Sequence, residues 1–224
     1  MRRALGTALV VVGLLVLADV AVTMAWQEPV SALRAARAQH RLAGELRRLE
    51  LAAPVRTAPS AARRASPARL AVAARAFARS RRDGDAVAEL RVPRIGLRAV
   101  VVRGTAPGDL REGPGLLDAT PLPGEHGTTA IAGHRTTYGA PFRHLDALRP
   151  GDAIAVRLPY ATFRYAVEAT RIVDPGDRSV LRRVRHDRLV LSACHPLFSA
   201  ARRIVVLARL VGVGQSARSL NRRV

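Results

Sequence analysis

The chain contains no lysine: all 37 of its basic residues are arginine, against 17 acidic residues, for a formal net charge of +20 over 224 residues. That skew is what a GC-rich genome produces. A single cysteine, Cys194, excludes an intrachain disulfide and any zinc site built on two or four thiolates. Aromatic residues make up only 4%, too few for the stacking platforms that hold single-stranded nucleic acid. No acidic residue sits in a helical His-Glu-x-x-His frame, and the spacings His126–His134 and His134–His144 match no compact ligand motif, so neither metal nor cofactor is expected. What is present is apolar: 49% of the chain, enough to bury a core and to exclude wholesale disorder. The length suits one ordinary domain with extra segments.

The segments are legible at the N-terminus. Arg2 and Arg3 precede a run from Ala4 to Trp26 that is apolar apart from Thr7, Asp19 and Thr23. About 20 such residues cross a hydrocarbon core, and the leading arginines give the positive flank of the cytoplasmic side. Asp19 falls in the outer third, near the interface, where its charge costs least. The reading is residues 1–3 as a cytoplasmic tip and 4–26 as an uncleaved transmembrane anchor. A cleaved signal peptide is the rival, because Ala21 to Ala25 is rich in small residues. On either reading the rest of the chain is exported.

Residues 27–83 carry 13 arginines up to Arg82 and only three glutamates. Residues 31–50 are rich in good helix formers, with Ser31 available as a cap, and residues 68–82 suit a second short helix. Pro54, Pro59 and Pro67 break the pattern between them. This segment reads as a solvated, basic helical stalk and linker, whose arginines suit anionic headgroups or cell-wall phosphates.

From Val87 onward the texture changes. AVAELRVPRI, RAVVVRG, TTAIAGH, DAIAVRL, FRYAVEATRIV, RLVLSAC and RRIVVLARL are short β-branched runs separated by Gly, Pro and Asp clusters. Such spacing predicts an all-β barrel or sandwich, with one or two helical turns over 140–148. The domain is set at 84–211, and 212–224 reads as a disordered basic tail.

Cys194 closes the run RLVLSAC and is followed by Pro196, which ends a strand. A thiol at a strand end beside a loop is placed to meet a substrate; alone, it is as well read as a small buried hydrophobe. Arg202 and Arg203 open the next run. If 188–194 and 203–210 pair, the connecting loop returns an arginine to the thiol, where its fixed fork of donors suits a thiolate or an oxyanion. His134 also follows a strand-like run, where an imidazole can act as a general acid. His126, His144, His186 and His195 compete for that role.

Three stretches carry a resemblance: VPRIGLRAVVVRG, GPGLLDATPLPGEHGTTAIAGHRTTYGAPFRHLDALRPGDAI and LVLSACHPLFSAARRIVVLA. In this order they resemble the sortases, cysteine transpeptidases of Gram-positive surfaces, over about residues 84–211. GHRTTYGAPF and CHPLFSAARR look most like the class E sortases of high-GC actinobacteria. The resemblance implies an eight-stranded sortase-type β-barrel with short helices. It carries the family's histidine to His134, its nucleophile to Cys194 and its arginine to Arg203, preferred over Arg202 because it directly precedes IVVLA. Ala193 stands where many members have threonine. Tyr138 is the candidate for substrate binding.

The implied reaction is acyl transfer: Cys194 attacks the Thr–Gly bond of a Leu-Ala/Pro-x-Thr-Gly sorting signal, with Ala preferred in this class. A cell-wall amine then resolves the thioacyl enzyme. The expected partners are surface proteins with a C-terminal sorting signal, a lipid-linked peptidoglycan precursor, and the membrane, with no nucleic acid. The expected location is the cell membrane, single-pass, with the catalytic domain outside. An unpaired cysteine in an exported domain fits a nucleophile. The alternatives are an inactive envelope-binding barrel, or the same site acting as a hydrolase or pilus polymerase.

Overall fold

The computed structural model describes residues 2–25, 29–52 and 66–214. The linker expected around Pro54 and Pro59, and the tail from residue 215, lie outside the described residues.

Helix α1 spans Arg2–Ala25, α2 Pro29–Ala52 and α3 Pro67–Arg79. Eight strands follow: β1 Ala86–Val92, β2 Leu97–Arg103, β3 Gly115–Leu116, β4 Thr128–Ala132, β5 Ala153–Arg157, β6 Thr162–Val173, β7 Arg188–His195 and β8 Arg202–Gly214. A short helix, α4, spans Pro107–Glu112 between β2 and β3. The strands close into a barrel in the order β1-β2-β3-β4-β7-β8-β6-β5. The eight-stranded barrel expected of the sequence is therefore present. All seven β-branched runs are strands, and β3 is the eighth.

Alternation along each strand sorts side chains between two faces. Leu90, Ile131, Phe163, Leu189, Leu191, Ile204 and Val206 point inward and form the main core with Phe142. Ala130, Val190, Val205 and Leu207 point outward and pack beneath Val180 and Leu181 of the β6–β7 connection. The outer face of β4-β7-β8 is therefore covered at one end by that connection.

Two expectations need correction. The stalk is not solvated: α2 buries Ser31, Ala35, Leu42 and Leu46, a stripe at helical spacing. Leu42 and Leu46 pack against Ala86, Val100 and Val102 of β1 and β2. Gln39 also pairs with the backbone of β2: its Oε1 accepts from Val100 N at 2.7 Å, and its Nε2 donates to Val100 O at 3.0 Å and to Glu112 O at 2.8 Å. Helix α3 is capped by Ser66 and lays Leu70 and Ala74 on the main core. The helices form where expected, but their small buried residues dock them on the barrel. The second correction concerns the boundary at 211: β8 runs on to Gly214, which pairs with Thr162.

Helix α1 is exposed along its described side chains, with Leu5, Leu9, Val12, Leu14 and Leu17 all more than half accessible. Among the described residues no helix is long and apolar enough to cross a membrane. Those described side chains of α1 run only from residue 5 to 18.

Candidate active site

Two neighbouring strands set Cys194 opposite Arg203, and a third, β4, ends two residues before His134. β4 and β7 are parallel, with Ala130 beside Val190 and Ala132 beside Ser192. β7 and β8 are antiparallel, with Val190 opposite Leu207, Ser192 opposite Val205 and Cys194 opposite Arg203. The outer face thus carries successive rows: Ala130–Val190–Leu207, then Ala132–Ser192–Val205. Two residues further along β7 stands Cys194, opposite Arg203 of β8, and His134 lies two residues past the end of β4. The β4–β7 ladder continues through Gly133, whose N–H donates to Ser192 O at 3.0 Å. Side chains so aligned on adjacent strands are neighbours, with Cβ atoms of a directly opposed pair about 5 Å apart. The pairing of 188–194 with 203–210 required by the sequence reading is thus present, and the Cys194–Arg203 pair lies on the outer face of the barrel.

Cys194 is half-buried and unpaired. It lines an open groove of about 310 Å³ with Arg135, Thr136, Pro196, Phe198, Ser199 and Ala200. The guanidinium of Arg203 is turned toward the β7–β8 loop: Nη1 donates to Ala200 O at 2.9 Å and to Arg202 O at 3.0 Å. Arg202, the rival, points elsewhere and pairs with Asp174 at 3.0 Å.

His134 is half-buried, and its carbonyl accepts from Phe142 N at 3.0 Å. Burial, and secondarily the charge of Arg111, hold its imidazole below the ordinary histidine range. Tyr138 lies against it, ring centroids 5.0 Å apart. Tyr138 adopts φ 51°, a left-handed conformation uncommon for a bulky residue. Its N–H donates to Ser31 Oγ of α2 at 3.3 Å, and the Arg111 guanidinium stands 5.9 Å from its ring centre.

Of the rival histidines, His195 bonds Arg135 beside Cys194, and the other three lie elsewhere. His126 meets Asp187, and His186 meets Glu168, each at 3.3 Å, at the opposite end of β4 and β7. They border a separate polar groove of about 370 Å³. His144 precedes a 3₁₀ turn over Leu145–Ala147. Among the described residues no cluster of three or more His, Cys, Asp or Glu side chains could hold a metal ion.

The structure adds two residues that the sequence did not single out. Phe198, 68% exposed at φ 64°, offers a bare ring at the groove beside Cys194. Arg135 is 3% exposed despite its charge. Its guanidinium donates to Arg143 O at 3.2 Å and to His195 Nδ1 at 2.9 Å, and pairs with Asp146 at 3.0 Å. One signal was available for Arg135: it directly follows His134. Nothing in composition separates it from the other 36 arginines.

This arrangement can do nucleophilic acyl chemistry: a thiol, an imidazole able to pass a proton, and a guanidinium able to receive a developing oxyanion. A family profile described as the sortase domain matches residues 90–211, more than half of the chain. The chain belongs to the sortase family. Sortases are cysteine transpeptidases. This sortase is 32% identical over 133 residues to sortase D of Bacillus subtilis, an alignment covering 57% of this chain and 65% of that protein. It is 32% identical over 94 residues to sortase SrtE1 of Streptomyces coelicolor, covering 38% of this chain and 27% of the other. It thus spans less than two thirds of the length of either relative. The solved structure of sortase E from Streptomyces avermitilis superposes with a TM-score of 0.55 at 30% identity, over 60% of this chain and 93% of that one.

Proposed function

We propose that this sortase is a membrane-anchored transpeptidase. It cleaves the Thr–Gly bond of a Leu-Ala/Pro-x-Thr-Gly sorting signal and joins the threonine to a cell-wall amine, by analogy with class E enzymes. The observation that carries the reading is the pairing of Cys194 with Arg203 across β7 and β8, with His134 two residues past the end of the neighbouring β4. Cys194, as thiolate, attacks the threonine carbonyl carbon. The carbonyl oxygen takes the electron pair and is met by Arg203, which needs only to swing off the loop carbonyls it now touches. The C–N bond breaks as His134 passes a proton to the glycine amine, leaving a thioester. The incoming amine attacks that thioester, gives up a proton to His134, and the thiolate departs. The open groove leaves room for a peptide beside the sulfur, with Phe198 offering an apolar contact and Tyr138 a wall beyond His134.

The anchor reading rests on the length of the apolar run from Ala4 to Trp26, the helical conformation of residues 4–25 in α1, and the exposure of the leucines and valines from Leu5 to Leu17. An exported catalytic domain, held outside a single-pass helix, follows from it. So do the partners: substrate proteins bearing the signal, and a lipid-linked peptidoglycan precursor as acceptor. A hydrolase would use the same site with water in place of the amine, a pilus polymerase with a lysine amine, and an inactive envelope binder would not use it.

The test keeps the full chain, since removing residues before 84 would strip Leu42 and Leu46 from the barrel. The purified protein is mixed with peptides carrying Ala or Pro at the second signal position and with a glycine amine. Mass spectrometry is expected to find a thioacyl adduct on Cys194 and a ligated product, both lost in Cys194→Ala. An adduct that yields only the free acid marks a hydrolase. No adduct with either peptide removes the transpeptidase reading.

A further inference from the structure

Helix α2 has a second face that the barrel does not use. Its buried stripe, Ser31, Ala35, Leu42 and Leu46, points at β1 and β2. Both acidic residues of the helix are turned that way too. Glu45 accepts from Arg81 at 3.4 Å and from Ala86 N at 3.3 Å, and Glu50 pairs with Arg157. The outward arc is left with cations alone. Arg34, Arg37, Arg47 and Arg48 are exposed and make no ion pair or hydrogen bond with the described residues; Arg41 is exposed as well but reaches Glu112 at 2.5 Å. Interleaved with these arginines on the same arc are bare apolar side chains: Val30 is 61% exposed and Leu33 53%.

A soluble polyanion would reward the arginines and leave Val30 and Leu33 without a partner. An anionic lipid surface rewards both, because the guanidinium groups meet phosphates while the apolar side chains enter the acyl boundary. The position in the chain points the same way. Only three residues separate Pro29 of α2 from Ala25 of α1. We propose that the outward face of α2 lies on the anionic headgroups of the bilayer, with Val30 and Leu33 dipping below them. The inference builds on the anchor reading given above and adds to it the lipid class and the orientation of the catalytic domain.

The orientation has a consequence for the site. Ser31 accepts from the backbone of Tyr138, and a methyl on Gly139 would stand 3.8 Å from Ala35 Cβ. The segment that follows His134 is therefore docked on the first turns of α2. With α2 on the lipid surface, the mouth of the groove stands at headgroup level, where a peptide tethered by its own hydrophobic tail must present its cleavage site.

The test uses the full chain in lipid nanodiscs, either pure phosphatidylcholine or with roughly a third phosphatidylglycerol. Single nitroxide labels at Arg37→Cys or Arg48→Cys are placed in a Cys194→Ala background, with Arg178→Cys on the β6–β7 connection as the control. Access of a water-soluble nickel chelate is read by power saturation. At positions 37 and 48 it is expected to fall at least about twofold in the anionic discs and to recover in high salt, with the control unchanged. Equal access in the two lipids overturns the proposal. Loss of access in pure phosphatidylcholine discs only after soluble polyphosphate is added overturns it in favour of a wall polyanion. Retention of the unlabelled chain in phosphatidylcholine vesicles through an alkaline carbonate wash reads α1 separately. A chain that washes off refutes the anchor, while phosphatidylglycerol-dependent sedimentation of that chain before the wash, lost in Arg34→Gln/Arg37→Gln/Arg47→Gln/Arg48→Gln, still reports on α2.

Discussion

Arg135 Nη1 donates to Nδ1 of His195 across 2.9 Å. Arginine cannot accept, so Nδ1 is the acceptor and the imidazole proton sits on Nε2. Arg135 follows His134, and His195 follows Cys194. The bond therefore joins the residues just beyond the proposed acid and the proposed nucleophile, past the point where the β4–β7 ladder stops. Asp146 and the carbonyl of Arg143 hold the same guanidinium from its other sides. Replacing Arg135 by Gln leaves these partners unmatched and lets the His134 segment drift from Cys194. The expected cost is about 1–3 kcal/mol in a urea melt, with a loss of at least about tenfold in kcat/KM, the range in which a misplaced catalytic group falls. His195→Gln keeps an acceptor for Arg135 and is expected to stay near wild type, whereas His195→Leu is expected to follow Arg135→Gln. Equal rates in the two His195 variants would refute this role.

Arg203 stands opposite Cys194, and its guanidinium donates to the carbonyls of Ala200 and Arg202. In the proposed mechanism its role belongs to the transition state, so its removal should leave folding nearly untouched. Arg203→Ala is expected to melt within about 0.5 kcal/mol of wild type and to lose about 10²–10³ in kcat, the usual cost of an oxyanion donor. Arg203→Lys restores the charge without the fork and should recover only part of that loss. An Arg203→Ala variant with unchanged kcat would take the arginine out of the mechanism.

The sequence made the barrel legible because each long strand announces itself by β-branched alternation between turn residues. β3 did not, since two residues, Gly115 and Leu116, cannot show a period. The pairing of Cys194 with Arg203 was within reach because a short loop joins their strands. The docking of α2 was not, because only Leu42 and Leu46 on its buried face are large and apolar, and Ser31, Ala35 and Gln39 beside them read as solvated. The direction of the pair was hidden too: whether Cys194 faces the lumen or the outside depends on register, and register is set by the inward Leu189, Leu191 and Ala193 acting together. Arg135 was lost in an arginine-rich composition, where burial alone singles it out.

Gly133 precedes His134 and faces the core. A methyl there would lie 2.8 Å from Cδ2 and 3.0 Å from Cε2 of Phe142, a ring that is fully buried and whose own N–H bonds the carbonyl of His134. Gly133→Ala must push Phe142 or lift the His134 backbone. The expected cost is about 1–3 kcal/mol in stability, as for other overpacked cores, with a clear fall in kcat. Gly133→Ala/Phe142→Leu, which shortens the opposing ring, should regain stability relative to Gly133→Ala alone. A double variant no more stable than the single one would point to another cause.

Glu89 is buried at 5% exposure among Arg91, Arg98 and Arg157, with Arg157 also paired to Glu50 of α2. Burial alone would push its carboxyl up, but the hydrogen bonds and charges of Arg91 and Arg157 outweigh it and hold the carboxyl below the ordinary range. A lowered carboxylate stabilises the fold at pH values above its unfolded pKa, and that contribution is lost as pH falls through the folded value. Glu89→Gln is expected to cost about 2–4 kcal/mol at neutral pH by leaving Arg157 partly uncompensated. Its stability should also fall less steeply than wild type between about pH 5 and pH 3. Parallel acid limbs in urea melts of the two proteins would refute the assignment.

His134 is held below the ordinary histidine range by burial and by the charge of Arg111. The unfolded chain therefore binds a proton at this site more readily than the folded one. Stability from this group is complete above the ordinary pKa of about 6.5 and declines as pH falls through that value. Activity follows the opposite sense. In the proposed mechanism the protonated imidazole serves the departing amine, and that form is scarcer at neutral pH than in an ordinary histidine, so the alkaline limb of kcat is expected lower than an ordinary histidine would place it. Arg111→Gln removes one of the two causes and leaves burial intact. The His134 Cε1–H resonance is expected to titrate at higher pH in this variant, the alkaline limb of kcat to move the same way, and both differences to shrink in high salt, because Arg111 is exposed and screened. A resonance that titrates identically in the two proteins would show that burial alone sets the imidazole.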